Sequence, residues 1–274
     1  MKRPFLFLAV GLLLAGCQGT HHAPTGPGLA FHDKALLMAV LWHQTSAEYR
    51  ALCYQAFNIA RERLEEALAH PSDRPRAVII DVDETVLDNA LYDGYLVLNP
   101  EQYPEDFYRW LRNGPPRLIP GAADFLAAVD RAGVAIFYLT NRRTVTAEDT
   151  LRQLSVLGLP QLGPDRLLLR TGQGRSKETR RASVGATNDI VLFVGDDLND
   201  FSDHFQGDSI EARKSAVDEH RSDFGRRFVL LPNAVGGSWE KVLYHDNDLH
   251  LVELKDHFRK HYLEAFSPAP NAPE

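Results

Sequence analysis

The sequence predicts an α/β fold, a parallel sheet flanked by helices with a small, mostly helical insertion. Three observations predict it. Five short apolar runs lack polar alternation, as strands covered on both faces do. Stretches with helical spacing separate them, which implies parallel pairing through right-handed crossovers. Several of the runs finish in polar or acidic residues, and open α/β sheets bind ligands beyond the carboxyl ends of their strands.

The elements follow in order. From Asp33 to His70 apolar residues recur at helical spacing, including Leu36, Val40, Phe57 and Leu64, with Ser46 and Glu48 as punctuation. Cys53 falls on that pattern and reads as a buried, inert thiol. "RAVIID" is the first strand. The aromatic segment Tyr92 to Pro116 shows no strand and reads as an insertion over the site. Tyr103 and Tyr108 are expected in its core, while Tyr95, Phe107 and Trp110 fit either packing or substrate contact. "PGAADFLAAVDRAG" is a helix opened by Pro and stopped by Gly133. "VAIFYLT" is a strand and "TVTAEDTLRQLSVLG" a helix with Thr144 as candidate cap. Next come strand "DRLLLR", helix "SKETRRASVGA", strand "DIVLFVG", helix "DSIEARKSAVDEHRSDFG" and strand "RRFVLLP". Trp239 is expected in the core, and Asp248 to Phe266 form a last helix.

The chain has 274 residues, 44% apolar and 24% charged, enough for one sizeable domain. Net charge is −7 without clustered Lys and Arg, which argues against a nucleic-acid polymer as partner. The start "MKRPFLFLAVGLLLAGCQGT" has two cations and an apolar run too short for a comfortable membrane span. It reads as a signal peptide over residues 1–16. Leu14-Ala15-Gly16-Cys17 resembles the bacterial lipobox, which implies lipidation of Cys17, a membrane partner through the lipid anchor and, with Gln18 next, an outer-membrane location. Residues 17–31 then form a Gly- and Pro-rich tether, residues 32–267 one domain, and residues 268–274 a tail of disordered composition. The N-terminal helices and residues 91–118 are expected to supply cap elements.

The first strand ends at Asp81 and Asp83, the second at Thr140, Asn141 and Arg142, and the fourth at Asp196, Asp197 and Asp200. Lys177 lies on a short helix between the third and fourth, with Arg175, Arg180 and Arg181 close by. Clustered carboxylates repel unless a cation stands among them. Asp81, Asp83 and Asp196 make a set of hard oxygen ligands suited to Mg²⁺. Calcium is the weaker alternative, since no twelve-residue calcium loop is present; zinc is disfavoured, since no His or Cys cluster lies near.

"DVDET", Thr140, Lys177 and "GDDLND" together resemble the four ordered motifs of the haloacid dehalogenase-like superfamily of phosphotransferases. "IIDVDETVLDN" paired with "VLFVGDDLNDF" is similar to the signatures of class C acid phosphatases, bacterial outer-membrane lipoproteins that include 5′-nucleotidases. "QTSAEYRAL", "YLTNRR" and "LPNAVGGSWE" extend the likeness over nearly the whole mature chain. The family pattern differs at Asp197, at Gly236, where a nucleobase-stacking tyrosine is usual, and at Phe107, where a tryptophan is usual.

The resemblance implies a Rossmann-like dehalogenase fold and a Mg²⁺-dependent acid phosphatase acting on a small phosphomonoester. In it Asp81 is the nucleophile and becomes an aspartyl phosphate, and Asp83 is general acid and then base. Asp81, the Asp83 backbone carbonyl and Asp196 hold the metal, with Asp200 orienting metal waters. Thr140 and Lys177 hold the phosphate, assisted by Asn141 and Arg142, and Tyr95, Phe107 and Trp110 are candidates for contact with the rest of the substrate. A free Asp titrates near 4, so an acidic optimum is expected. A homodimer follows from relatives only. The alternatives are phosphoryl transfer to alcohol acceptors and a non-catalytic surface-binding lipoprotein.

Overall fold

The first strand, β1 (Arg76–Ile80), is buried along nearly its whole length, and its alternate residues enter different cores. Val78 and Ile80 point into one, Ala77 and Ile79 into the other, as the two-residue period of a strand requires. That is why the run shows no polar alternation. The computed structural model describes residues 34–99, 103–244 and 252–265. The expected signal segment 1–16, Cys17, the expected tether 17–31 and the expected tail 268–274 lie outside the described residues.

Helices α1 (Lys34–Thr45) and α2 (Ala47–Leu68) precede β1. Between them Ser46 caps α2, its side chain accepting from the Tyr49 N–H at 3.0 Å. After β1 come α3 (Ala90–Leu98), α4 (Glu105–Asn113), α5 (Ala122–Arg131) and β2 (Ala135–Arg143). Then follow α6 (Ala147–Val156), β3 (Leu167–Arg170), α7 (Glu178–Thr187), β4 (Asp189–Gly195), α8 (Ile210–Glu219) and β5 (Phe228–Leu230). The short α9 (Ser238–Lys241) and α10 (Val252–His261) close the chain.

Among the described residues the sheet has five strands, all parallel, in the order β3-β2-β1-β4-β5. Strand β1 is therefore central, and the ends of β2, β1 and β4 stand side by side. On one face α2 and α5 cover Val78, Ile136, Tyr138, Leu192 and Val194; on the other α7 and α8 cover Ile79, Leu139, Phe193 and Phe228. The result is a three-layer α/β/α sandwich with the insertion α3–α4 after the first strand. Among the described residues no helix is long and apolar enough to cross a membrane.

Three expectations are corrected. Thr144 does not cap α6: β2 runs on to Arg143, a 3-10 turn takes up Thr144–Thr146, and Thr146 is the residue preceding α6. Trp239 is 46% exposed and Tyr103 57% exposed, so neither is core. Both stand near a loop-to-helix junction, where apolarity alone does not say which side faces inward. Cys53 matches its reading: it is fully buried on α2, and burial pushes its thiol up to about 11.

Candidate active site

The loop after β1 is pinned by its own apolar residues. Val82, Val86 and Leu87 are buried, and the Val86 and Leu87 N–H groups both donate to Val82 O, at 2.9 and 2.7 Å. This tight turn puts Glu84 in the left-handed region (φ 54°), rare for a residue with a side chain. Asp81 and Asp83 are thereby held at the end of the sheet, and the Asp81 N–H donates to Val194 O on β4 at 2.9 Å.

Asp81, Asp196 and Asp200 offer carboxylate oxygens that all lie within 4.8 Å of one another. Asp200 can come so close because Gly195 has no side chain; a Cβ there would stand 2.4 Å from Asp200 Oδ2. Two of the three, Asp81 and Asp200, share one buried ammonium. Lys177 Nζ donates to Asp81 Oδ1 at 2.5 Å, Asp200 Oδ1 at 2.7 Å and the Leu139 carbonyl at 2.7 Å. Burial opposes the Lys177 charge, but Asp200 and Asp81 outweigh it and keep the lysine protonated.

One cation among three anions leaves the cluster short of positive charge. Burial and then the Asp200 charge push Asp81 well above the usual carboxylate range, and the same causes bring Asp196 to about 7. Asp200 is also raised, chiefly by burial. Hydrogen bonds hold Asp196 in place: Thr85 Oγ1 donates to Oδ1 at 2.7 Å and Asn233 Nδ2 to Oδ2 at 2.8 Å. A hard divalent cation fits this oxygen set and this charge deficit.

Asp83 is not a member of that carboxylate group. It faces Arg142, whose Nε and Nη2 donate to its two oxygens at 2.7–3.1 Å. Asn89 Nδ2 adds a bond at 2.8 Å, and Thr140 Oγ1 lies at 3.4 Å. Burial favours protonation of Asp83, but Arg142 and these hydrogen bonds overcome it and hold the carboxyl below its ordinary value. Arg142 itself is 3% exposed and also donates to Thr150 and Gln153, at 3.3 and 2.8 Å. The structure therefore puts the Arg142 guanidinium against Asp83.

Thr140 is buried between Asp83 and the Arg142 N–H, which donates to its hydroxyl at 3.0 Å. Asn141 receives Arg180 Nη2 at 2.7 Å and donates to the Arg175 carbonyl at 3.0 Å. Tyr95, Phe107 and Trp110 gather around the Tyr92 ring, with centroids 6.4, 5.5 and 6.2 Å away. Only Tyr95 of these three is exposed; Trp110 turns its indole N–H to Asn89 Oδ1 at 3.0 Å.

Several partners carry no assignment from the sequence. Asn89 joins Asp83, Glu84 and Trp110, and its place in "DETVLDN" is its only signal. Asn233 holds Asp196 and also accepts the Val235 N–H at 2.8 Å. Asp197, an odd residue for the pattern, accepts from the Ser238 N–H and hydroxyl and so ties "LPNAVGGSWE" to the end of β4.

The family model for the HAD superfamily, subfamily IIIB (Acid phosphatase), matches residues 32–239. The chain is 38% identical to the class C acid phosphatase from Bacillus anthracis in a crystal structure with tungstate bound. That match covers 85% of this chain and 98% of that one, with a TM-score of 0.81. A second structure of the class C acid phosphatase from Bacillus anthracis is 36% identical over the same shares, with a TM-score of 0.80. With its carboxylate cluster at the ends of β1 and β4, the chain belongs to the class C acid phosphatases of HAD subfamily IIIB and is a phosphomonoester hydrolase.

Proposed function

We propose that the enzyme is Mg²⁺-dependent and works through a phosphoryl group carried on Asp81. The observation that supports this most is the charge deficit: three converging carboxylates with, among the described residues, Lys177 as the one ammonium bonded to them. Asp81, Asp196 and Asp200 would hold the ion, which supplies charge neutralisation for the carboxylates and the phosphate.

The chain's own residues carry the steps. An Asp81 oxygen attacks phosphorus as the ester P–O bond breaks. The leaving alkoxide takes a proton from Asp83. Asp83 then removes a proton from water, whose oxygen attacks phosphorus and frees Asp81 and inorganic phosphate. Lys177, fixed by Asp81 and Asp200, presents positive charge to the phosphate oxygens. Arg142 positions the Asp83 carboxylate and opposes its proton uptake. The tungstate bound by the Bacillus anthracis relative is a tetrahedral oxyanion like phosphate, which supports this use of the site.

Nucleoside 5′-monophosphates are the finer proposal for substrate. Gly236 lacks the usual aromatic ring, but Trp239 is exposed beside it, its indole N–H donating to Gly236 O at 3.1 Å. An exposed aromatic on a loop anchored to Asp196 and Asp197 supports a base as part of the substrate. Lipidation of Cys17, an outer-membrane location and a homodimer complete the proposal; Cys17→Ala should move the protein from the membrane fraction to the soluble one.

The test is phosphate release from p-nitrophenyl phosphate at pH 5 to 6, with EDTA and with Mg²⁺ restored. Turnover that EDTA abolishes, Mg²⁺ restores and Asp81→Asn eliminates is the expected result. Turnover indifferent to EDTA rejects the metal, and turnover surviving in Asp81→Asn rejects the nucleophile.

A further inference from the structure

Asn89 stands at the N-cap position of α3, where an asparagine side chain ordinarily accepts a backbone N–H of the first helical turn. Here the side chain makes no capping bond. The Ala90 N–H goes to Asp88 Oδ1 instead, at 2.8 Å. The Asn89 side chain is buried and serves three partners outside α3. Its Nδ2 donates to Asp83 Oδ1 and to Glu84 Oε1, each at 2.8 Å, and its Oδ1 accepts the Trp110 indole N–H at 3.0 Å.

These partners fix which way the amide faces. A carboxylate only accepts and an indole N–H only donates, so oxygen must face Trp110 and nitrogen must face Asp83. A flipped amide would set oxygen against carboxylate oxygens and leave the indole donor unmet. On Asp83 the donors are uneven. Oδ1 takes Asn89 Nδ2, Arg142 Nη2 at 2.7 Å and Arg142 Nε at 3.1 Å. Oδ2 takes Arg142 Nε at 3.0 Å and lies 3.4 Å from the Thr140 hydroxyl, a group that can accept as well as donate. A proton on Oδ1 would run into N–H donors from two residues, and Oδ2 is the oxygen better able to carry it.

Trp110 is itself held in place. Its ring stacks on Tyr92, and the end of α4 is tied to α6 by Arg152, which donates to the Leu111 and Arg112 carbonyls at 2.5 and 2.7 Å. The indole also lies against Gly114, the residue that closes α4. A Cβ on Gly114 would stand 2.1 Å from Trp110 Cε3. The Gly114 backbone (φ −67°, ψ 140°) is one that any residue adopts, so what demands glycine there is the indole. Asp83 is thus reached from the insertion through Trp110 and Asn89.

We propose that Asn89 and Trp110 are positioning residues for proton transfer to the leaving group. Trp110 sets the direction of the Asn89 amide. Asn89, with Arg142, occupies Oδ1 of Asp83, so that Oδ2 carries the proton and delivers it to the departing oxygen. The inference rests on the reading of Asp83 as the acid, and it gives Trp110 a part in the chemistry without contact with the substrate.

The test compares kcat/KM for phenyl phosphate and p-nitrophenyl phosphate. The two present the same ring, and phenol, the more basic leaving group, depends more on the proton. The ratio of the first to the second should fall about fivefold in Asn89→Ala and about threefold in Trp110→Phe, which keeps an aromatic ring and loses the N–H donor. Gly114→Ala alters no hydrogen-bonding group and pushes the indole aside, so it should lower the ratio by about the same threefold. Trp110→Phe and Gly114→Ala carry the test if Asn89→Ala is unstable. Leu98→Ala, at an exposed position of the same insertion, should leave the ratio unchanged. If the Asn89, Trp110 and Gly114 variants slow both esters equally and keep the wild-type ratio, their role is structural or one of ring contact, and the inference is overturned. Asp83→Asn should lower the ratio further than any of them; a ratio unchanged in Asp83→Asn would instead overturn the acid reading beneath.

Discussion

Replacing Arg142 by Gln should move the pH dependence of catalysis. The guanidinium is buried, fork-bonded to Asp83 at 2.7–3.1 Å, and the Asp83 side chain is 23% exposed. Charges about 4 Å apart interact by about 4 kcal/mol at an effective dielectric of 20. Partial solvent contact reduces this to about 2 kcal/mol, or roughly 1.5 pH units at 1.36 kcal/mol each. Asp83 is lowered in the fold, so as an acid it is competent only below its folded value and activity falls as pH rises through it. Without Arg142 that limb of the kcat/KM profile should shift upward by about 1.5 units, between roughly 1 and 3. The same pair stabilises the fold above the ordinary aspartate value near 4, a contribution lost as pH falls through the lower folded one. The assay is p-nitrophenyl phosphate hydrolysis from pH 3.5 to 8 at saturating Mg²⁺. A profile that drops in height while its limb stays in place would show that Asp83 is not the acid or that Arg142 does not control it.

Lys177→Met removes the one cation between Asp81 and Asp200; it should cost about 3–5 kcal/mol, near 10 °C in Tm by calorimetry, and at least about a hundredfold in kcat. Gly236→Tyr adds a ring where a Cβ meets nothing within 4 Å, so Tm should hold while KM for adenosine 5′-monophosphate drops about tenfold relative to p-nitrophenyl phosphate. His43, stacked on Tyr49 and accepting the Ala234 N–H at 3.3 Å, is lowered by burial from 6.5 to about 4. The unfolded chain binds its proton first, so stability should fall by up to about 3 kcal/mol between pH 6.5 and 4, and His43→Gln should flatten that slope in urea titrations.

The strands were legible because a doubly covered strand must be apolar on both sides. "RAVII", "DIVLFVG" and "FVLL" need no alternation to be read, and Gly and Pro bound them. Their order in the sheet was not legible: pairing β1 with β4 across α5 and α7 is a property of the packed layers. Asp81, Lys177, Asp196 and Asp200 could be grouped because strand ends converge however far apart they lie in the chain. The side-chain pairings could not. Arg142 and Thr140 look alike as polar residues closing β2, yet strand alternation and the Asp83 turn bury the guanidinium against a carboxylate 59 positions away. Trp239 and Tyr103 show the same limit, since an aromatic residue carries no mark of which surface covers it.

The central claim is that Asp81 takes the phosphoryl group while Asp196 and Asp200 share a divalent ion with it. A crystal structure of the enzyme with Mg²⁺ and beryllium fluoride tests this most directly. The expected result is a tetrahedral BeF₃ unit on one Asp81 oxygen, Lys177 against its fluorines and Mg²⁺ within reach of Asp196 and Asp200. Beryllium on any other residue, or Mg²⁺ away from these carboxylates, would contradict it.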